Sequence, residues 1–167
     1  MKQLDLFPAP QPKPRKREPQ EWKVVSLREC PTPEQMQQCE TPEQAVAYWR
    51  SHIASDPRFN PECECLVVLI LNTRRRIRGH HVVSIGTMDQ VMAHPRDVFR
   101  IAVTSGASAI ICMHNHPSGD SSPSGPDIST TRDLIRAGEL LKIELLDHII
   151  IGHPSFTSIK GLGYFSG

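Results

Sequence analysis

The chain has no apolar run long enough to cross a bilayer, and its first residues lack the apolar core of a signal peptide. A cytoplasmic protein with no membrane contact is the expectation. Charge of one sign is missing too. Nineteen Lys and Arg against 18 Asp and Glu leave a formal net charge of +1, so no global field draws nucleic acid, and such contact would need a local basic patch. Five cysteines at scattered positions make no disulfide framework, and an odd count suits a reducing compartment. Cys63 and Cys65 lack a second pair to complete a metal site, so they and Cys112 read as buried structural thiols. At 167 residues, 38% hydrophobic and 22% charged, the chain fits one compact domain with a tail.

What is present concentrates in the run HNHPSGDSSPSGPD, residues 114–127. The apolar stretch from Ala109 to Met113 leads into it and reads as a buried strand. Alternation along that strand puts His114 and His116 on one side, where both imidazoles can reach one ion. A loop returns the chain to Ser124 and Asp127, where a helix starts and a third ligand is available. Two histidines and a carboxylate leave a tetrahedral ion one position for water, which separates catalytic from closed structural zinc. The alternatives are plain: paired histidines in a Gly- and Pro-rich loop can be mere polar loop residues, and Ser124-x-x-Asp127 satisfies a helix capping box. Ser124 can cap the helix or donate to a developing oxyanion.

A second apolar run, Cys65 to Leu71, reads as another buried strand with Glu64 at its entry, where a carboxylate can serve as general base. Glu62 shares its strand parity. Periodicity does not separate the two. The other elements follow from caps and patterning. A helix opens at Thr41-Pro42 and runs to about Ile53; Arg76 to Ile85 is the hairpin partner of the Cys65 strand; a helix runs from His94-Pro95 to Thr104. A third helix spans Gly125 to Leu141, and strands follow at Leu145 to Gly152 and Phe156 to Ile159. This order predicts an α/β fold, a mixed sheet flanked by helices. The basic run Thr73 to Arg78 falls at an exposed hairpin tip and is expected to be a solvated turn. His148, inside a late strand, is expected to be a core or edge residue satisfied by hydrogen bonds rather than a ligand. His80, His81, His94 and His153 have no spacing that recruits them.

His-x-His-Pro followed by Ser-x-x-Asp, with an upstream Glu, resembles the JAMM (JAB/MPN-type) zinc metalloproteases, and the strings HNHPSG and LLDHIIIG resemble the RadC family in particular. The resemblance runs from about Thr41 to the C-terminus. It implies a cytidine-deaminase-like sandwich, Zn2+ held by His114, His116 and Asp127, Glu64 as the base, and Ser124 assisting the tetrahedral intermediate. Longer RadC relatives carry a helix-hairpin-helix-type region; the expectation for this chain is a short form without it, which leaves direct DNA binding without support. The family name implies DNA repair, while the substrate, a protein or peptide, stays open.

Residues 11–20 carry proline and basic residues and almost nothing apolar, so a disordered linker is expected there, in a tail of residues 1–20 ahead of a zinc domain over residues 21–167. Before the linker, Gln3, Leu4, Asp5, Leu6 and Phe7 resemble the pentapeptide by which bacterial replication and repair proteins bind the sliding clamp, with Leu6 and Phe7 as apolar anchors. The alternative is a segment that packs on its own domain or does nothing. The expected function is a zinc hydrolase cleaving a peptide or isopeptide bond, tethered to replication or repair machinery. Its rival is a non-catalytic zinc-containing binding module of such complexes. A nucleotide deaminase fits less, since zinc deaminases use His-x-Glu and Pro-Cys-x-x-Cys, and neither is in the sequence.

Overall fold

Strand β1, Cys65–Leu71, is buried along its whole length, as its unbroken apolar run requires. It lies inside a mixed five-stranded sheet in a computed structural model that describes residue 32 and residues 34–86 and 94–165. β2 spans Ile77–Ile85, β3 Ala109–Asn115, β4 Glu144–Ile151 and β5 Phe156–Ser158. The order is β2-β1-β3-β4-β5, with β3 and β4 parallel and the remaining pairs antiparallel. Helix α1 covers Pro42–Tyr48 and continues as a π-helical turn, Trp49–Ile53. α2 covers Pro95–Thr104 and α3 Gly125–Leu141.

Strand alternation divides the core between two faces. Cys65, Val67, Leu69 and Leu71 pack with Ala45, Val46, Trp49 and Ile53 from the first helix and its π turn. Leu66, Val68 and Ile70 pack instead with Val98, Phe99 and Ala102 of α2 and Leu134 of α3. The result is the α/β sandwich that the sequence predicts. Each large aliphatic side chain so buried contributes roughly 1.5–3 kcal/mol, and Leu69, with 0% exposure, has no route to water on either side.

Boundaries differ from the sequence expectations by a residue or two, and one case has a clear cause. β2 starts at Ile77 because Arg76 belongs to the turn: the Asn72 side-chain oxygen accepts from the backbone N–H of both Arg74 and Arg76. Arg75 takes the left-handed conformation at φ 56° there and pairs with Glu144 at 2.7 Å. Arg78 donates to the Ser105 carbonyl oxygen. The basic run is therefore partly spent inside the molecule. Gln3, Leu4, Asp5, Leu6, Phe7 and the linker at residues 11–20 lie outside the described residues. Among the described residues, no helix is long and apolar enough to cross a membrane.

Candidate metal centre

The antiparallel register of β1 and β3 sets Leu66 opposite His114, so the start of β1 lies beside the end of β3. Glu64 precedes Leu66 by two residues and therefore shares its face, the face that carries His114. Asn115 fixes this junction. Its side-chain oxygen accepts from the Cys65 N–H at 2.9 Å and its amide donates to the Cys63 carbonyl at 3.0 Å, holding the backbone on both sides of Glu64. Beyond β3, Gly119 adopts φ +81°, and its carbonyl accepts from the His153 N–H at 2.9 Å, which folds the loop back against the end of β4. α3 then begins at Ser124, whose hydroxyl accepts from the Asp127 N–H while the Asp127 carboxylate accepts from the Ser124 N–H. That reciprocal cap aims Asp127 at the histidines.

One donor atom from each of Glu64, His114, His116 and Asp127 lies within 4.8 Å of the others. His114 Nε2 is 3.0 Å from His116 Nε2 and 3.3 Å from Asp127 Oδ1, and His116 Nε2 is 3.5 Å from Asp127 Oδ2. Four ligands around an ion with bonds of about 2.0–2.1 Å are about 3.3 Å apart along a tetrahedral edge, so this trio has the spacing of a zinc-sized site. Glu64 Oε1 stands further off, 3.8 Å from His114 Nε2. His116 Nδ1 is 2.7 Å from the Asp120 carbonyl oxygen, which can only accept, so Nδ1 carries the proton and Nε2 offers its lone pair inward. A pocket edged by carboxylates and imidazole lone pairs suits a cation and little else.

The side chains of Glu64, Asp127 and His116 are 12%, 13% and 17% exposed while that of His114 is 2%, so the site opens to water on the side away from β3. Burial raises the Glu64 carboxyl above its ordinary range, against the pull of His114 and His116. Burial would also raise Asp127, but the nearby imidazoles of His114 and His116 and the Ser124 hydroxyl hold it well below the usual carboxylate range. His116 is raised by its contact with Asp127, with burial opposing.

The four site residues expected from the sequence around a metal, Glu64, His114, His116 and Asp127, come together here. Glu62 does not join them, because Pro61, Glu62 and Cys63 form a turn, while extended pairing reaches back to Glu64, whose carbonyl accepts from the Gly86 N–H. The Ser124 hydroxyl lies 2.6 Å from Asp127 Oδ2 and serves the helix cap. His148 is buried and bonded on both ring nitrogens, as its place in a strand predicts, but one of its partners is His114 Nδ1 at 2.9 Å. The other is Thr131 Oγ1 at 2.7 Å. Nothing in the spacing of His148 and Thr131 joins them to the histidine motif, since the link exists only across the β3–β4 pairing and α3. Asn115 escaped sequence reasoning for the same reason.

The fold and the site together define an α/β domain with a candidate metal site of two histidines and two carboxylates at the end of a central strand. The RadC-like JAB domain family matches residues 39–164. The chain belongs to that family. A UPF0758 protein of Desulforamulus reducens is 46% identical over 100 residues, 60% of this chain and 44% of that protein. UPF0758 proteins of Shouchella clausii and Bacillus velezensis are each 43% identical, over 116 and 124 residues, covering 70% and 74% of this chain and 50% and 52% of theirs. The chain thus spans about half the length of these curated relatives.

Proposed function

We propose that this protein is a zinc-dependent hydrolase of a peptide or isopeptide bond, with Gln3, Leu4, Asp5, Leu6 and Phe7 tethering it to the bacterial sliding clamp of a replication or repair assembly. The placement of Glu64 carries the catalytic part. It stands 3.8 Å from His114 Nε2, outside the tighter trio, with its proton affinity raised by burial. His114, His116 and Asp127 would hold the ion. Zinc bound there supplies Lewis acidity toward the scissile carbonyl and lowers the pKa of water to about 7. Glu64 Oε1 accepts the proton of the attacking water and delivers it to the leaving nitrogen; a carboxylate with raised pKa is suited to both steps. Ser124, at the helix start, would turn its hydroxyl hydrogen from Asp127 Oδ2, to which it donates here, toward the oxyanion as the carbonyl is attacked.

The second reading is a binding module in which the metal serves structure, favoured by the presence of Glu64 within 4.8 Å of the other donors. If Glu64 closes on the ion, the site is complete and has no place for water. Glu64→Gln separates the two. A hydrolase keeps about one zinc ion per chain in that variant and loses the cleavage products that proteomics of cells expressing the wild type would reveal. Zinc lost along with Glu64, with no wild-type cleavage products, overturns the hydrolase in favour of the closed site.

A further inference from the structure

The geometry points to His148 and Thr131 as positioning residues that fix the proton of His114 on Nδ1 and keep Nε2 open as a metal donor. This inference rests on the metal reading of the site above. Its basis is a count of protons along one chain of contacts. The Thr131 hydroxyl has one hydrogen and two neighbours, the Asp127 carbonyl oxygen at 2.7 Å and His148 Nδ1 at 2.7 Å. The carbonyl can only accept. Giving the hydrogen to His148 would leave two oxygen lone pairs facing each other at that distance, so Thr131 donates to Asp127 and accepts from His148. Nδ1 of His148 therefore carries its proton.

His148 is 1% exposed, and its ring nitrogens meet a hydroxyl and another imidazole, not a carboxylate. A second proton would be a buried charge without an ion-pair partner in hydrogen-bond contact, which is costly. Neutral His148 then presents Nε2 as an acceptor, and His114 Nδ1, 2.9 Å away, must be the donor. Thus one relay begins on a ligand side chain of β3, passes through β4, and ends on the backbone of Asp127 in α3. His116 reaches the same tautomer by a separate contact with the Asp120 carbonyl. With both Nδ1 protons so placed, the two Nε2 atoms face each other at 3.0 Å, an arrangement that a shared cation satisfies, and partners of this kind govern metal affinity by fixing the tautomer and ring orientation.

Thr131→Val tests the relay in the full chain, because it removes the hydroxyl at nearly constant volume. Without an acceptor at Nδ1, His148 moves its proton to Nε2, donates to His114 and drives the His114 proton onto the metal-binding nitrogen. Long-range proton–nitrogen NMR of the metal-free protein should show His114 protonated on Nδ1 in the wild type and shifted toward Nε2 in Thr131→Val. Zinc affinity, measured by competition with a chelator, should weaken about 10- to 100-fold, and Thr131→Ser should restore both. An unchanged His114 tautomer in a folded Thr131→Val overturns the relay. A wild type that has the Nδ1 tautomer but takes up no zinc overturns the metal reading instead and leaves the relay intact.

Discussion

A Cβ at position 152 would stand 2.4 Å from the Gly119 carbonyl oxygen, so Gly152 and Gly119 meet backbone to backbone with no space between them. The Ser121 N–H would be 2.9 Å from the same atom. Both obstacles are backbone and neither can rotate away. Through this contact the end of β4 supports the loop that joins His116 to Asp127. Gly152→Ala should therefore displace the loop, lower stability by about 1–3 kcal/mol as overpacking does, and weaken zinc binding. Thermal melts with and without zinc measure both. A variant as stable as the wild type would show that the loop yields freely.

Asn115→Ala should loosen Glu64 without touching a metal donor. It removes the acceptor for the Cys65 N–H and the donor to the Cys63 carbonyl, and stranding such buried groups costs about 1–3 kcal/mol. Hydrogen exchange should accelerate at the Cys65 amide and stay slow at Leu69 in mid-strand. Equal protection of Cys65 in both proteins would remove Asn115 from the set of residues that position Glu64.

The contribution of His116 to stability should reverse its pH dependence on loading with zinc. His116 has a folded pKa raised above its ordinary 6.5, chiefly by Asp127. In the metal-free protein its contribution is complete below 6.5 and is lost as pH rises through the raised value. Zinc requires the unprotonated nitrogen, so its contribution grows over the same window. Melting temperatures of the two forms, measured from about pH 6 to about pH 8.5, should diverge as pH rises. Parallel curves would mean that His116 does not exchange a proton for the ion.

A synthetic peptide of the first residues should bind the sliding clamp with a Kd on the order of micromolar, since two apolar anchors must offset the ordering of a free chain. The linker of residues 11–20 could span roughly 40 Å if extended, enough to let the domain range around the ring. Calorimetry against a peptide with Leu6→Ala and Phe7→Ala decides the matter. Equal heats from the two, or none from either, would make this an ordinary tail.

The legible parts of this molecule are those whose signal is local. Continuous apolar runs marked β1 and β3, Thr41-Pro42 and Ser124 marked helix starts through their caps, and His114, His116 and Asp127 were tied together by one loop. Glu64 against Glu62 was open by parity alone. Glu64 is the one that lies in the cluster, at the point where the turn gives way to the strand and Asn115 holds Cys65 from fifty positions away. His148 shows the same limit. Its burial followed from its strand, but its contact with His114 follows only from the parallel register that aligns Cys112 with His148.

Asp127 occupies the third position of α3, where a capping box ordinarily accepts Glu or Gln. A longer acid could still reach back to the Ser124 N–H. It could not at the same time keep one oxygen 3.3 Å from His114 Nε2 and the other on the Ser124 hydroxyl, because the extra methylene carries the carboxylate past the strand. The choice of acid is thus dictated by β3 and not by the helix that bears it. Asp127→Glu would leave the helix content of the protein intact and still empty the cradle, so a spectroscopist watching only the backbone would see nothing wrong.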